Sequence, residues 1–437
     1  MFLSPVELLA QWTAVDSGLT NLAVISFAVI PNGAGGTNLF AATDGGIFLS
    51  TNNGTNWTVI YPTNNGACSF AVCSNGTGGT NLFAASNEVI LSTYDGTSWS
   101  SWTAISSGLK GAWIWTLAVS CHGLDSTNLF GGTWFNGVYL SSFNGTNWTT
   151  WTPVDSGLTH KKVNALALCP DGATGSNLIA ATEGGGIFRS TNNGTSWSSV
   201  NDGLTDTSFF ALLVHGSHLF AGSYLGHVFL STNSGTNWTA VGSTNTYITS
   251  FAFSDTTLFV GTWGNGVFVS TNNGVSWTNV HSSGLYPWVW TLAVSPDGAG
   301  GRYLFAGTEG GGAWRRSVSE MITSVEQPIF QPKRFALYQN YPNPFNPTTT
   351  ISFSVGTSSY TSLRVYDLLG REVATLVSEL LPPGSYTRRW NALDLPSGIY
   401  FYRLSAVPLV RRDLVPSSTR DGHAGSFVET KKLVLMR

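Results

Sequence analysis

Three acids in this sequence share one setting. Glu183 and Glu309 each stand in Thr-Glu-Gly-Gly-Gly, and Asp44 stands in Thr-Asp-Gly-Gly. Two carboxylates at a suitable separation are enough to hydrolyse a glycosidic bond, one as acid and the other as base or nucleophile. The competing reading is that each acid only caps a glycine-rich hairpin turn. A second set is aromatic: Trp113, Trp134, Tyr224, Trp263 and Trp288. Large flat rings stack on sugars or grip a protein partner when exposed, and fill cores when not. Other chemistry has less to stand on. His160-Lys161-Lys162 reads as a solvated basic loop, and no P-loop, zinc or nucleophile-elbow signature is present. Cys68, Cys73, Cys121 and Cys169 are too few for a disulfide framework in 437 residues. Cys68 and Cys73 lie on one predicted strand and face opposite ways, which argues against a metal site. The cysteines are expected to be small apolar core residues, and no metal or other cofactor is expected.

The elements that position these residues are legible from composition and repetition. Only 10% of residues are charged, while Gly (50) and Trp (17) are plentiful. Short apolar runs alternate with Gly, Asn, Thr and Ser, as in strands joined by tight turns. The stretch "STNNGTNW" from Ser50 returns from Ser190, Ser231 and Ser270, and more loosely as "STYDGTSW" from Ser92 and "SSFNGTNW" from Ser141. Its closing tryptophans (57, 99, 148, 197, 238 and 277) are 39 to 49 residues apart, close to the period of a propeller blade. Each period holds four short strands, and the quoted motif is the turn from the third to the fourth. Seven first strands are present but only six such turns. The missing fourth strand matches "QWTAV", Gln11 to Val15. The expectation is therefore an all-β chain: a seven-bladed β-propeller over residues 8–318, closed by its N-terminal strand so that no sheet edge is left open. Residues 319–335 lack any period and read as a linker. Residues 336–437 alternate apolar and polar positions, as in a small β-sandwich.

Charge divides the same way. Residues 1–320 hold 7 Lys+Arg against 15 Asp+Glu, a balance of −8, and residues 321–437 hold 13 against 8, a balance of +5. An acidic first part offers no footprint for nucleic acid. No apolar run is long enough to span a membrane. "MFLSPVELLAQW" has no legible signal peptide, so the start is expected to be truncated or misassigned.

The repeated turn resembles the Asp-box, or BNR repeat, whose pattern is Ser-x-Asp-x-Gly-x-Thr-Trp. Ser50, Gly54 and Trp57 match, with Asn52 in place of Asp; Asn192, Asn233 and Asn272 make the same replacement, and Tyr94 and Phe143 depart from it. The resemblance implies a propeller like those of sialidases, sortilin-type receptors, xyloglucanases and photosystem assembly factors. It implies no particular activity. It also implies that second-to-third-strand turns and fourth-to-first-strand loops share a central face, with the repeated motif on the opposite rim. That face would carry Asp44, Glu88, Trp134, Glu183, Tyr224, Trp263 and Glu309 from the turns. The loops would add Trp113, His160, Lys161, Lys162, Tyr247, Tyr286 and Trp288. Trp115 and Trp290, two residues further along their strands, are expected in the blade core. Sialidase chemistry needs an arginine cluster for the substrate carboxylate. The propeller has only Arg189, Arg302, Arg315 and Arg316, all expected off that face. A non-catalytic module binding a glycan or protein through the aromatic face is the favoured expectation. The alternative is a polysaccharide-degrading glycoside hydrolase using Asp44, Glu183 or Glu309, with Asp44 and Glu309 on adjacent blades.

The last hundred residues resemble the C-terminal sorting domain of type IX secretion, found in Bacteroidetes and their relatives. The match runs through "QNYPNPFNPTT" (Asn340, Pro342, Asn343, Pro344, Phe345, Asn346 and Pro347) and "VYDLLGREVATLV" (Asp367, Gly370 and Arg371). It continues in "SGIYFYRL" (Gly398 and Tyr400) and "TKKLVLMR" (Lys431 and Lys432). It implies export to the medium or the outer-membrane surface, with the secretion machinery as partner. Residues 407–425 exceed the family's usual turn, and read either as a tolerated loop insertion or as one that impairs recognition by the machinery.

Overall fold

The computed structural model describes residues 11–436 apart from 33–35, 64–65, 110, 122–126, 171–175, 282–283, 325–334, 341, 356–358, 382–383 and 409–426. The leader question and nearly all of the 407–425 insertion thus lie outside the described residues. The chain falls into two compact units, Met1–Val325 and Glu326–Arg437. Strands dominate both, as the all-β expectation requires.

The described strands of the first unit form seven four-stranded antiparallel sheets. Six are consecutive runs, such as Val24–Pro31, Thr37–Thr43, Gly46–Ser50 and Thr58–Pro62. In the last, Thr13–Ala14 pairs with Ala313–Ser317, Thr13 opposite Arg315 and Ala14 opposite Trp314. The first strands of neighbouring sheets pack together in sequence order, and Val289–Pro296 of the last packs on Val24–Pro31 of the first. Second strands such as "NLFAAT" are buried on both faces, because each lies mid-sheet between two neighbouring sheets. Phe40, Phe83, Phe130, Phe220, Phe259 and Phe305 fill these layers.

Neighbouring sheets are latched by tryptophan. Trp57 donates its indole N–H to the Val15 carbonyl at 2.7 Å, across to the last strand of the preceding sheet. Trp197 does the same to Val154 (2.8 Å) and Trp238 to Val200 (2.9 Å). Trp12, of "QWTAV", reaches Val280 at 3.1 Å. In the third sheet the latch is Trp151, to Ile105 at 2.6 Å, and not the motif's Trp148. Trp148 packs edge-on against Phe83 instead.

The repeated motif is a self-contained turn. Ser50 Oγ donates to Asn52 Oδ1 (2.9 Å) and accepts from Gly54 N–H (2.9 Å), while Asn52 Oδ1 also accepts from Asn56 N–H (3.0 Å). Asn53 and Gly54 take φ of 54° and 78°, a region that Asn and Gly tolerate best. The looser copies move the acceptor one place on. Asp95 Oδ1 accepts from Thr97 and Ser98 N–H, and Asn144 Oδ1 from Thr146 and Asn147 N–H. Tyr94 and Phe143 are thereby released to pack on Trp99 and Trp148.

Two expectations are corrected. Residues 319–335 do not begin as linker: Val318–Ser324 is a short helix, and its Val318 and Met321 are buried with Trp12 and Leu285. The alternating polar and apolar residues there had no period because the helix is too short to show one. The cysteines are not all core thiols. Cys73 and Cys121 form a disulfide with Cα atoms 6.3 Å apart, tying the first strands of the second and third sheets. Those strands are neighbours, which brings the two cysteines together across 48 residues of sequence. Cys68 and Cys169 are free and buried, as expected.

The second unit has a three-stranded sheet, in the order Ala336–Leu337, Thr348–Val355, Gly384–Asn391. It also has a four-stranded sheet, in the order Glu372–Leu381, Ser359–Tyr366, Gly398–Pro408, Phe427–Leu435. One apolar core, including Phe345, Phe353, Trp390, Tyr402 and Leu433, lies between their strands.

Candidate functional site

One end of the first unit is organised by its turns. The threonine ending each of five second strands is buried and donates its hydroxyl across the turn: Thr43 to Gly46, Thr133 to Gly137, Thr182 to Gly186, Thr262 to Gly266 and Thr308 to Gly312 (2.8–3.1 Å). Threonine therefore closes these turns, and the adjoining acids are not needed as caps. The next residue in the turn bonds back to the loop entering its own sheet. Trp134 N–H reaches Trp113 O, Glu183 reaches Lys162, Trp263 reaches Tyr247 and Glu309 reaches Trp288. Gly310 and Gly312 N–H donate to Leu22 O, joining the last sheet to the first. Turns and loops thus share one face.

Six of the seven first strands begin with an irregularity at this face. Pairing skips Ile25, Trp115, Asn164, Phe210, Thr249 and Trp290 in six of the seven sheets. Such a bulge adds one residue and re-aims its side chain. All six line a central cavity of about 240 Å³ to which every sheet's first strand contributes, the second sheet through Cys68 and Ser69. Trp115 and Trp290, expected in the blade core, are therefore in the central cavity. Their strands do not alternate strictly at that point.

The bulged rings join the face into one aromatic network. Trp115 lies 4.8 Å from Trp134, 6.1 Å from Trp290 and 6.0 Å from Phe210. Trp290 contacts Trp263 at 4.7 Å, and Trp263 stacks on Trp288 at 5.8 Å and 16°. Phe210 meets Tyr247 edge-on at 5.2 Å, and Tyr247 stacks on Tyr224 at 4.2 Å. Trp113 (47% exposed), Phe135 (73%), Leu225 (65%) and Trp288 (40%) face solvent here, an apolar exposure that marks interaction surfaces. Sequence reading missed Phe135, Trp115, Phe210 and Trp290.

The charges are mostly committed. Lys162 Nζ lies 2.5 Å from Glu183 Oε2 and 3.9 Å from the centre of the Trp134 ring. Tyr224 donates its hydroxyl to the same Glu183 oxygen at 3.0 Å. The Lys162 hydrogen bond holds Glu183 below its ordinary value, against a smaller opposing effect of burial. Trp290 donates its indole N–H to the Glu309 carboxylate. Tyr61 donates to Glu88 at 2.8 Å. Asp44 is pushed up by partial burial of its carboxyl and then by the charge of Glu309. Burial raises both Tyr224 and Tyr247. His160, exposed, contacts Thr159 at 3.1 Å, and Lys161 pairs with Asp155 at 2.6 Å. Arg189, Arg302, Arg315 and Arg316 make their contacts elsewhere, with Thr236, Asp255, Asn53 and Val280 respectively. Among the described residues no group of three or more His, Cys, Asp or Glu is placed to hold a metal.

The Lys162–Glu183 pair has a pH signature. A carboxylate lowered in the folded state stabilises above the ordinary range near 4.5 and loses that contribution as pH falls through its folded value. Exposure of both groups keeps the effect on stability small. Replacing Lys162 with Met is expected to raise the Glu183 titration midpoint, read by carboxyl-carbon NMR. An unchanged midpoint would show that the pairing does not exist in solution.

In the second unit most sorting-signal residues hold the fold together. Asn340 is buried; its side chain donates to Pro342 O and Thr349 Oγ1, and its N–H donates to Tyr402 Oη. Asn343 Oδ1 accepts from Val434 N–H, Phe345 stacks near Trp390, and Pro347 O accepts from Ala392. Asp367 closes a turn through Leu369 and Arg371 N–H and the Arg371 side chain, with Gly370 at φ 77°. Tyr400 is buried and donates to Pro396 O. Gly398 opens its strand, Lys431 pairs with Glu429 at 3.1 Å, and Lys432 O accepts from Gln339.

The fold has relatives of known structure. YCF48 from Cyanidioschyzon merolae is 13% identical with a TM-score of 0.50, over 71% of this chain and 99% of that one. The extracellular domain of the hybrid two component system BT3049 from B. thetaiotaomicron is 15% identical with a TM-score of 0.53, over 98% of this chain and 57% of that one. Both are β-propeller-like, and at these identities the likeness is one of fold. No curated protein matches the chain in sequence. Residues 339–409 match the family model of the secretion system C-terminal sorting domain. The chain thus carries a type IX sorting signal, which directs export to a secreted or cell-surface location and engages the type IX machinery. No helix among the described residues is long and apolar enough to cross a membrane.

Proposed function

We propose that the first unit is a seven-bladed Asp-box propeller closed by its N-terminal strand, and the second a β-sandwich sorting module. The exported product is a non-catalytic binding protein whose central face engages a glycan or a surface protein. Trp113, Trp134, Tyr224, Trp263 and Trp288 form the contact surface. The observation that carries this reading is the exposed, continuous ring network, interrupted by few free charges. Interfaces of this composition concentrate binding energy in aromatic anchors.

A glycoside hydrolase is the second reading, and one observation favours it. The Asp44 carboxyl is raised, in part by the charge of Glu309, as expected of an acid beside its partner carboxylate. Glu183 suits that role less, since Lys162 keeps it ionised. Sialidase chemistry has no support: the arginines point elsewhere, and Tyr224 is made a weaker acid rather than a nucleophile. Purified full-length protein applied to a glycan array and a surface-protein panel tests the choice. The expected result is a ligand whose affinity falls at least tenfold in the Trp263→Ala, Trp288→Ala double variant and is unchanged in Glu309→Gln. Polysaccharide turnover that disappears in Glu309→Gln would sink the binding reading.

A further inference from the structure

We propose that the cleft bounded by Trp113, Trp115, Trp134 and Phe135 is a site for an organic quaternary ammonium group. The cleft has a volume of about 270 Å³, and all four lining residues are aromatic. Its rings meet as walls: Trp115 and Trp134 at 69°, Trp134 and Phe135 at 79°. The Trp113 indole N–H is already committed to Cys68 Sγ at 3.2 Å.

Such walls select by what they lack. A primary ammonium brings three N–H donors, and none of the four lining side chains offers an acceptor for them. A quaternary ammonium carries its charge with no donor at all, and electron-rich ring faces attract it. Trp134 already holds one cation, the Lys162 ammonium 3.9 Å from its ring centre, and Lys162 is not among the residues lining the cleft. The nearby Glu183 pairs with that lysine, which offsets its repulsion of a second cation. The balance of −8 over residues 1–320 draws cations toward the unit.

The inference rests on the face being a binding surface but uses a different part of it from the Trp263–Trp288 stack. Its test is calorimetric and fluorescence titration of the full chain with four probes. These are choline, ethanolamine as its primary-amine counterpart, phosphatidylcholine vesicles, and 3,3-dimethylbutanol, the uncharged isostere of choline. At least one quaternary probe is expected to bind about tenfold or more tightly than its uncharged or primary-amine counterpart, the size of a desolvated cation–π contribution. The tighter of choline and phosphatidylcholine vesicles identifies the source as free or lipid-borne. Phe135→Ala, at an exposed position, is expected to abolish that binding with the unfolding midpoint unchanged. Trp263→Ala with Trp288→Ala is expected to spare it, which separates failure of this site from failure of the wider surface. Equal binding of dimethylbutanol and choline would overturn the proposal in favour of a neutral apolar anchor, and so would no binding by any probe.

Discussion

Replacing Trp12 with alanine is expected to destabilise the first unit by about 3–5 kcal/mol, the usual range for deleting a buried tryptophan. The side chain is 4% exposed and packs with Val280, Leu285, Val318 and Met321. Its indole donates to Val280 O, so removal also strips a buried carbonyl of this donor. The residue immediately precedes the short N-terminal strand, Thr13–Ala14, that completes the last sheet, and the loss would pass to the neighbouring sheet and the helix at Val318–Ser324. Equilibrium denaturation measures it. A Trp12→Phe control keeps most of the volume and removes the donor, and is expected to cost about 1 kcal/mol. A Trp12→Ala protein as stable as the parent would mean that the N-terminal strand does not close the structure.

Loss of the Cys73–Cys121 bridge is expected to be of similar size. Its half-cystines are 48 residues apart, and the chain-entropy relation assigns a loop of that length about 4 kcal/mol. The double variant Cys73→Ser, Cys121→Ser should shift the denaturation midpoint accordingly, and a reductant should shift the parent but not the variant. A reductant-insensitive parent would show that the bridge does not form. A disulfide of this kind persists only in an oxidising environment, which agrees with the export that the sorting domain directs.

Much of the fold could be read in advance because repetition multiplies a weak signal. One "NLFAAT" is an ambiguous apolar run, but seven related strands at matching intervals, each followed by a turn, are not. The orphan "QWTAV" is an example, since its pairing partner is named by elimination. Three things were hidden. Trp148 looked like the third motif tryptophan, while Trp151 carries the latch; the local spelling repeats, but the bond it makes depends on how many residues follow the turn. Cys73 and Cys121 are distant in sequence, and only the adjacency of their strands reveals the bridge. Trp115, Phe210 and Trp290 were misplaced or missed because alternation was assumed to hold through the strand. A signal did exist. Ile114 and Leu117, Val163 and Leu166, Phe209 and Leu212, and Val289 and Leu292 are three apart where strict alternation would give two. A spacing of three inside a strand is how a bulge is spelled. The site's partnerships were less legible still. Nothing in the sequence pairs Lys162 with Glu183 and Trp134, since the first contact joins a loop to a turn two strands away and the second crosses to the preceding sheet.

The bulges separate two jobs that most strands must do with the same residues. A residue in a regular ladder is fixed twice, by its opposite number and by the layer it fills. At Ile25, Trp115, Asn164, Phe210, Thr249 and Trp290 the cross-strand pairing skips a place, so the side chain is released from the ladder and turned to the cavity, with Asn164, Thr249 and Trp290 held there by Phe209 O, Val289 O and the Glu309 carboxylate. Six positions lining one cavity can therefore change with less disturbance to the ladder than a paired residue would cause. The arrangement works like a set of interchangeable type in a fixed frame. Ligand preference could drift or be redesigned letter by letter there, with the sheets beneath left as they are.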